Sequence, residues 1–89
     1  MKQKKTVTAL TFNPTDSLMA SADEVGNIIL WDLENKNILY RLESAFNQPI
    51  DYLGFVPGFS LITAASSKSN SIKQFRINLD DSKTLTQFR

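Results

Sequence analysis

The sequence predicts an all-β chain of two consecutive four-stranded units, and three observations predict it. Over 89 residues an apolar pattern recurs at a spacing of 43 to 44 positions. Short runs rich in Val, Ile, Leu and Phe alternate with clusters of Asn, Asp, Gly, Pro and Ser, too closely for helices to fit between them. The stretch Ile28-Ile29-Leu30-Trp31 is apolar on both faces of a strand. Such a strand belongs between two covering layers and not in a sheet that is wet on one side.

The elements follow in order. Thr6–Phe12 is the first strand. Asn13-Pro14-Thr15-Asp16 is a turn in which Pro presets φ and Asn and Asp bond their own backbone. Leu18–Ala22 is the second strand. Glu24-Val25-Gly26-Asn27 reverses the chain, with Gly or Asn supplying any positive φ. Asn27–Leu33 is the third strand, Glu34-Asn35-Lys36-Asn37 a polar turn, and Ile38–Leu42 the fourth strand. A helix over 27–40 fails because its apolar residues hold no stripe of period 3.6. The second unit repeats the plan with Ile50–Phe55, Ser60–Ala65, Ser71–Ile77 and Leu85–Phe88, its last turn being longer and charged.

The match between the units is specific. Val7, Leu10, Phe12 and Pro14 correspond to Ile50, Leu53, Phe55 and Pro57 at an offset of 43. Ala20, Ile28, Trp31 and Leu33 correspond to Ala64, Ile72, Phe75 and Ile77 at 44, which places a one-residue insertion between Pro57 and Ala64. A period of about 40–45 residues is that of four-stranded propeller blades. Residues 1–45 are the first blade and 46–89 the second. A propeller closes with four to eight blades, so the chain is expected to be a fragment of a larger β-propeller whose neighbouring blades cover its apolar flanks.

Composition narrows the chemistry. The formal net charge is +1, 42% of residues are hydrophobic, and there is no Cys and no His. Without Cys there are no disulfides and no thiolate zinc site. Without His or Cys, most transition-metal sites and nearly all nucleophile–base pairs are unavailable. No enzyme activity, cofactor or metal is therefore expected. Ser44, Ser66 and Ser67 have no His to act as a base, and three Gly cannot build a phosphate loop. No apolar run approaches the roughly 18 residues of a membrane span. The basic start, Met1-Lys2-Gln3-Lys4-Lys5, has no apolar segment behind it and does not read as a secretory signal.

Trp31-Asp32 closes the third strand, behind Gly26-Asn27-Ile28-Ile29-Leu30. A Trp-Asp pair at this place inside such a repeat resembles the WD-repeat family, and the resemblance covers almost the whole chain. The structural blade positions are then Phe12, Trp31, Asp32, Phe55 and Phe75. The family's hydrogen-bonded set joins a His, a strand-two Ser or Thr, a turn Asp and the Trp. Here Val25 takes the turn-Asp place in the first blade and Ser69 in the second, Phe46 stands where the His would be, and Phe75-Arg76 replaces Trp-Asp. The network is thus expected to be degenerate, with Trp31 and Phe75 held by packing.

A closer resemblance lies in Leu53-Gly-Phe-Val-Pro-Gly58 and Asn70-Ser-Ile-Lys-Gln-Phe75, together with Ala20–Leu33, Leu39–Ala45 and Leu85–Arg89. These segments are similar to the WD-repeat subunits of the small-subunit processome, the particle that travels with the U3 small nucleolar RNA. The resemblance implies a nucleolar scaffold for small-subunit ribosomal RNA processing. Its implied partners are other WD-repeat proteins in a ribonucleoprotein assembly, with pre-ribosomal RNA or the U3 RNA as further candidates and no membrane. The competing expectation is a peptide-binding WD adaptor of signalling or ubiquitin ligation.

Two residue groups carry a second reading. Lys2, Lys4 and Lys5 are candidates for a weak RNA phosphate contact, although a solvated loop between blades is the preferred reading. Phe12, Tyr52, Phe55 and Phe75 could stack on bases, but their repeat positions assign them to packing. Asp23-Glu24 and Asp80-Asp81 are paired carboxylates in predicted turns, where acidic residues serve the backbone.

Overall fold

A computed structural model describes residues 6–78 and 84–88. The Lys2, Lys4 and Lys5 cluster and the Asp80-Asp81 pair lie outside the described residues. Eight strands are present: β1 (Val7–Phe12), β2 (Leu18–Asp23), β3 (Ile28–Asp32), β4 (Asn37–Leu42), β5 (Tyr52–Phe55), β6 (Leu61–Ser66), β7 (Ser71–Asn78) and β8 (Thr84–Phe88). They form two antiparallel meanders, β1-β2-β3-β4 and β5-β6-β7-β8. The ends differ from the sequence expectation by a residue or two.

The turns explain why the strands stop where they do. Asn13 Oδ1 accepts from the Ser17 and Leu18 amides at 2.9 and 3.0 Å, closing the β1–β2 turn. Asp32 Oδ1 accepts from Glu34 N and Asn35 N, closing the β3–β4 turn. Both are side chains substituting for a backbone acceptor.

Register fixes the faces, because side chains alternate across a strand. In the first sheet Ala22 stands opposite Ile28 and Ala20 opposite Leu30; all four are fully buried against the second sheet. The second sheet answers with Leu53, Ile62, Ala64, Phe75, Ile77 and Leu85, which join them in one core. Small Ala residues opposite larger ones let the sheets interdigitate. The first sheet's other face carries Leu10, Phe12, Met19, Ser21, Ile29 and Trp31; the second sheet's other face carries Tyr52, Thr63, Ala65, Ile72, Gln74 and Arg76. Ile28 and Ile72 hold equivalent register positions, yet Ile28 is 0% and Ile72 74% exposed. The difference is the presence of a packed sheet over one and not the other.

The same registers relocate the insertion. Five residues separate Ala22 from its partner Ile28, whereas six separate Ala65 from its partner Ile72. The extra residue therefore sits in the β6–β7 turn and not between Pro57 and Ala64. Ala64 corresponds to Ser21, and the match to Ala20 fails by one position. Adjacent small residues at 20–22 and 64–65 look alike in sequence, but only alternate ones share a face.

Candidate functional site

The junction where the chain leaves the first sheet and enters the second gathers a connected set of polar side chains from both sheets and the linker. It is built around the β2–β3 turn. Asp23, at the end of β2, is 2% exposed. Its Oδ1 accepts from Val25 N at 3.1 Å and Asn27 N at 2.9 Å, and its Oδ2 from Asn27 Nδ2 at 3.1 Å. The carboxylate is thus paired entirely with turn donors, which is the condition for burying it. The sequence comparison gave the turn-Asp place to Val25, which is exposed. Asp23, two residues earlier, caps the turn itself: its carboxylate bonds the turn donors, while the Trp31 indole goes to Ser21.

Asn27 passes the connection onward. Its Oδ1 accepts from Ser44 N, 2.8 Å away in the linker. Next, Phe46 N donates to Gly26 O at 3.1 Å, and Ile50 N to Asp23 O at 3.4 Å. Gly26 has φ 97°, and a Cβ there would lie 1.9 Å from the Phe46 carbonyl oxygen. Only Gly allows the linker to lie this close. Thr8 Oγ1 donates to the Ile50 carbonyl, so β1 also holds the linker.

Trp31 is half-buried, and its Nε1 donates to Ser21 Oγ at 3.0 Å. The expectation that packing alone holds it is corrected: the indole–hydroxyl link survives although the His is replaced. Phe75, which has no donor, is 2% exposed and packs in the core. Phe55 packs against the core edge, while Phe12 is 49% and Tyr52 56% exposed. Asp32 caps its turn as described. Phe46 is buried, and its backbone, not its side chain, bonds the turn.

Across the junction, Lys73 of β7 donates from Nζ to Ala45 O at 2.7 Å and sits 4.9 Å from the Phe46 ring centroid. Beside it opens a cleft of about 280 Å³ lined by Ser44, Ala45, Phe46, Asn47, Gln48, Ser69, Ser71 and Lys73. Nearby, Asp51 accepts from the Ser67 amide and hydroxyl, which hold its carboxyl below the usual carboxylate range. In the second blade Ser66 stands where Asp23 stands in the first. Its hydroxyl is buried with no partner among the described residues. Among the described residues no group of three or more His, Cys, Asp or Glu could hold a metal. The arrangement suits noncovalent contact: one cation, several hydroxyls and two amides around an open cleft. Sequence reasoning missed Lys73, whose surroundings come from a distant segment. The reading of Asp23 as an acidic turn residue that serves the backbone agrees with its bonds to Val25 N and Asn27 N.

No family-level sequence profile matches the chain. Over 71 residues it is 37% identical to the small ribosomal subunit protein RACK1 of Candida albicans, covering 80% of this chain and 21% of that protein. Over 63 residues it is 40% identical to the small ribosomal subunit protein RACK1 of Schizosaccharomyces pombe, covering 71% and 19%. The chain thus spans about a fifth of the length of these curated relatives. In structure it is similar to the β-propeller domain of Cps50 (Swd1) from Myceliophteria thermophila, with a TM-score of 0.75 over 97% of this chain and 27% of that one, at 16% identity. That likeness shows the fold: two blades of a β-propeller.

Proposed function

We infer the function from the premise that the chain is part of a WD-repeat β-propeller, the family that both the fold and the sequence likenesses support. A propeller of this kind works as a scaffold: its blades hold surfaces in fixed relation, and its partners dock on them. We propose that the whole protein is a non-catalytic scaffold subunit acting in the making of the small ribosomal subunit, in the nucleolar particle that carries the U3 RNA. The observation that carries this reading is the likeness to two small ribosomal subunit proteins. The resemblance of Leu53–Gly58 and Asn70–Phe75 to processome WD subunits points to the assembling rather than the finished particle. Other WD-repeat proteins are the proposed direct partners, with precursor RNA contacted secondarily. The charge supports this order, since a formal net charge of +1 is small for a surface whose affinity would come from phosphates.

A second reading is favoured by what the relatives are, small ribosomal subunit proteins: a resident protein of the finished small subunit. Affinity purification of the full-length protein followed by gradient sedimentation separates the two. Recovery of U3 RNA and precursor RNA in large particles, with precursor accumulating on depletion, is the expected outcome. Sedimentation with finished small subunits and polysomes, without U3 RNA, would establish the second reading. Recovery of a ubiquitin-ligase or signalling complex, with ribosomal RNA unaffected, would overturn both.

A further inference from the structure

We propose that the cleft at the blade junction is a binding site for an acidic peptide segment, with Lys73 as its charge anchor. The inference stands on the chain's own residues and not on which assembly the protein serves. Lys73 is half-buried, and no carboxylate pairs with it among the described residues. An ammonium has three donors; one goes to Ala45 O, and the Phe46 face partly offsets the charge. Withdrawing a cation from water is costly unless it is paired. A carboxylate arriving in the cleft would supply the missing charge and take up the remaining donors.

Two of the three hydroxyls lining the cleft bear on the choice of anion, while Ser44 Oγ has no partner among the described residues and can donate. Ser69 Oγ donates to Ser66 O, and Ser71 Oγ donates to Ser69 O, at 3.4 and 3.1 Å. Their protons are committed within the protein, so toward the cleft they present lone pairs. They call for donors on the ligand. A peptide brings backbone N–H groups along with its acidic side chain, and the exposed Asn47 and Gln48 amides can serve its remaining N–H and C=O groups. A phosphodiester offers oxygens only, and a single cation is too few for a strand whose affinity rests on many phosphate contacts. The cleft volume of about 280 Å³ accommodates one acidic residue with its flanking backbone and not a long strand.

The test uses the full-length protein with a short fluorescein-labelled oligo-glutamate peptide, its oligo-glutamine counterpart and an oligo-uridine. Fluorescence anisotropy should show binding of the glutamate peptide and not of the other two. Lys73→Met should weaken it by on the order of tenfold, the loss of a hydrogen bond to a charged group. Because Lys73 also holds the linker, a measurement without substitution stands beside it. Carbodiimide joins a carboxylate to an amine in contact, forming an amide with loss of water, and mass spectrometry maps the site. Coupling at Lys73 in preference to the exposed Lys36 and Lys68 supports the site. No binding, coupling spread over exposed lysines, or preference for oligo-uridine that Lys73→Met abolishes would each overturn it.

Discussion

Gly26→Ala should be among the most damaging small substitutions in this chain, and its cost can be worked from the geometry. At φ 97° an L-residue costs about 1–2 kcal/mol. The new Cβ would stand 1.9 Å from the Phe46 oxygen and 2.5 Å from its carbonyl carbon. Both are backbone atoms, so the linker has to lift. Lifting breaks the Phe46 N–H to Gly26 O bond and strains the Ser44 N–H to Asn27 bond, each worth about 1 kcal/mol. The total is about 3–4 kcal/mol. Gly58→Ala is the control: φ is 81°, but no atom lies within 4 Å of its Cβ position, so only the backbone cost of about 1–2 kcal/mol applies. Urea denaturation of the full-length protein carrying either change should separate them by about 2 kcal/mol. Hydrogen exchange gives the local readout, with the Phe46 amide losing protection in the Gly26 variant alone. Equal costs for the two variants, or an unchanged Phe46 amide, would refute the view that the linker is seated on Gly26.

Trp31→Phe should cost about 1 kcal/mol beyond any repacking, the loss of the bond to Ser21, and a double-mutant cycle with Ser21→Ala should return a coupling of about that size. Ser66→Ala should leave stability unchanged or raise it by about 1 kcal/mol in thermal denaturation, because it removes a buried hydroxyl that has no partner among the described residues. Asp51 has a lowered pKa in the folded state, so its contribution is present above its unfolded pKa and fades as pH falls through the folded one. Ser67→Ala should move the Asp51 carboxyl back toward the ordinary range in an NMR titration, since Ser67's hydroxyl is the main cause of the shift.

The strands were legible because each is bounded by a chemically explicit turn. Asn13 and Asp32 cap turns with their own side chains, and such residues announce themselves in sequence. The buried strand at Ile28–Trp31 was legible from its two apolar faces. Register was harder. Ala20, Ala22, Ala64 and Ala65 offer no size difference to fix which residue faces the core, and the one-residue insertion was misplaced for that reason. Position in the repeat gives Val25 the turn-Asp place, whereas the carboxylate that caps the turn belongs to Asp23. The Trp31–Ser21 link was hidden because the missing His suggested that the whole set was gone. The cleft was not legible at all: Lys73 meets Ala45 across 28 positions of sequence, and nothing local to Lys73 foretells the ring and carbonyl beneath it.

The seating of the linker also sets a timetable for synthesis. Asn27 waits for Ser44, which follows 17 residues later. At about 5–20 residues per second that gap lasts on the order of a second or more, whereas a hairpin pairs within about 1–10 μs. The hairpin of β2 and β3, which ends at Asp32, can therefore be in register well before the turn around Asp23 is covered. During that interval its carboxylate is hydrated, and the face bearing Ala22 and Ile28 is bare. Withdrawal of Asp23 from water marks the seating of the linker that leads into the second sheet, and until then this end of the first sheet is open to a chaperone or to a wrong neighbour.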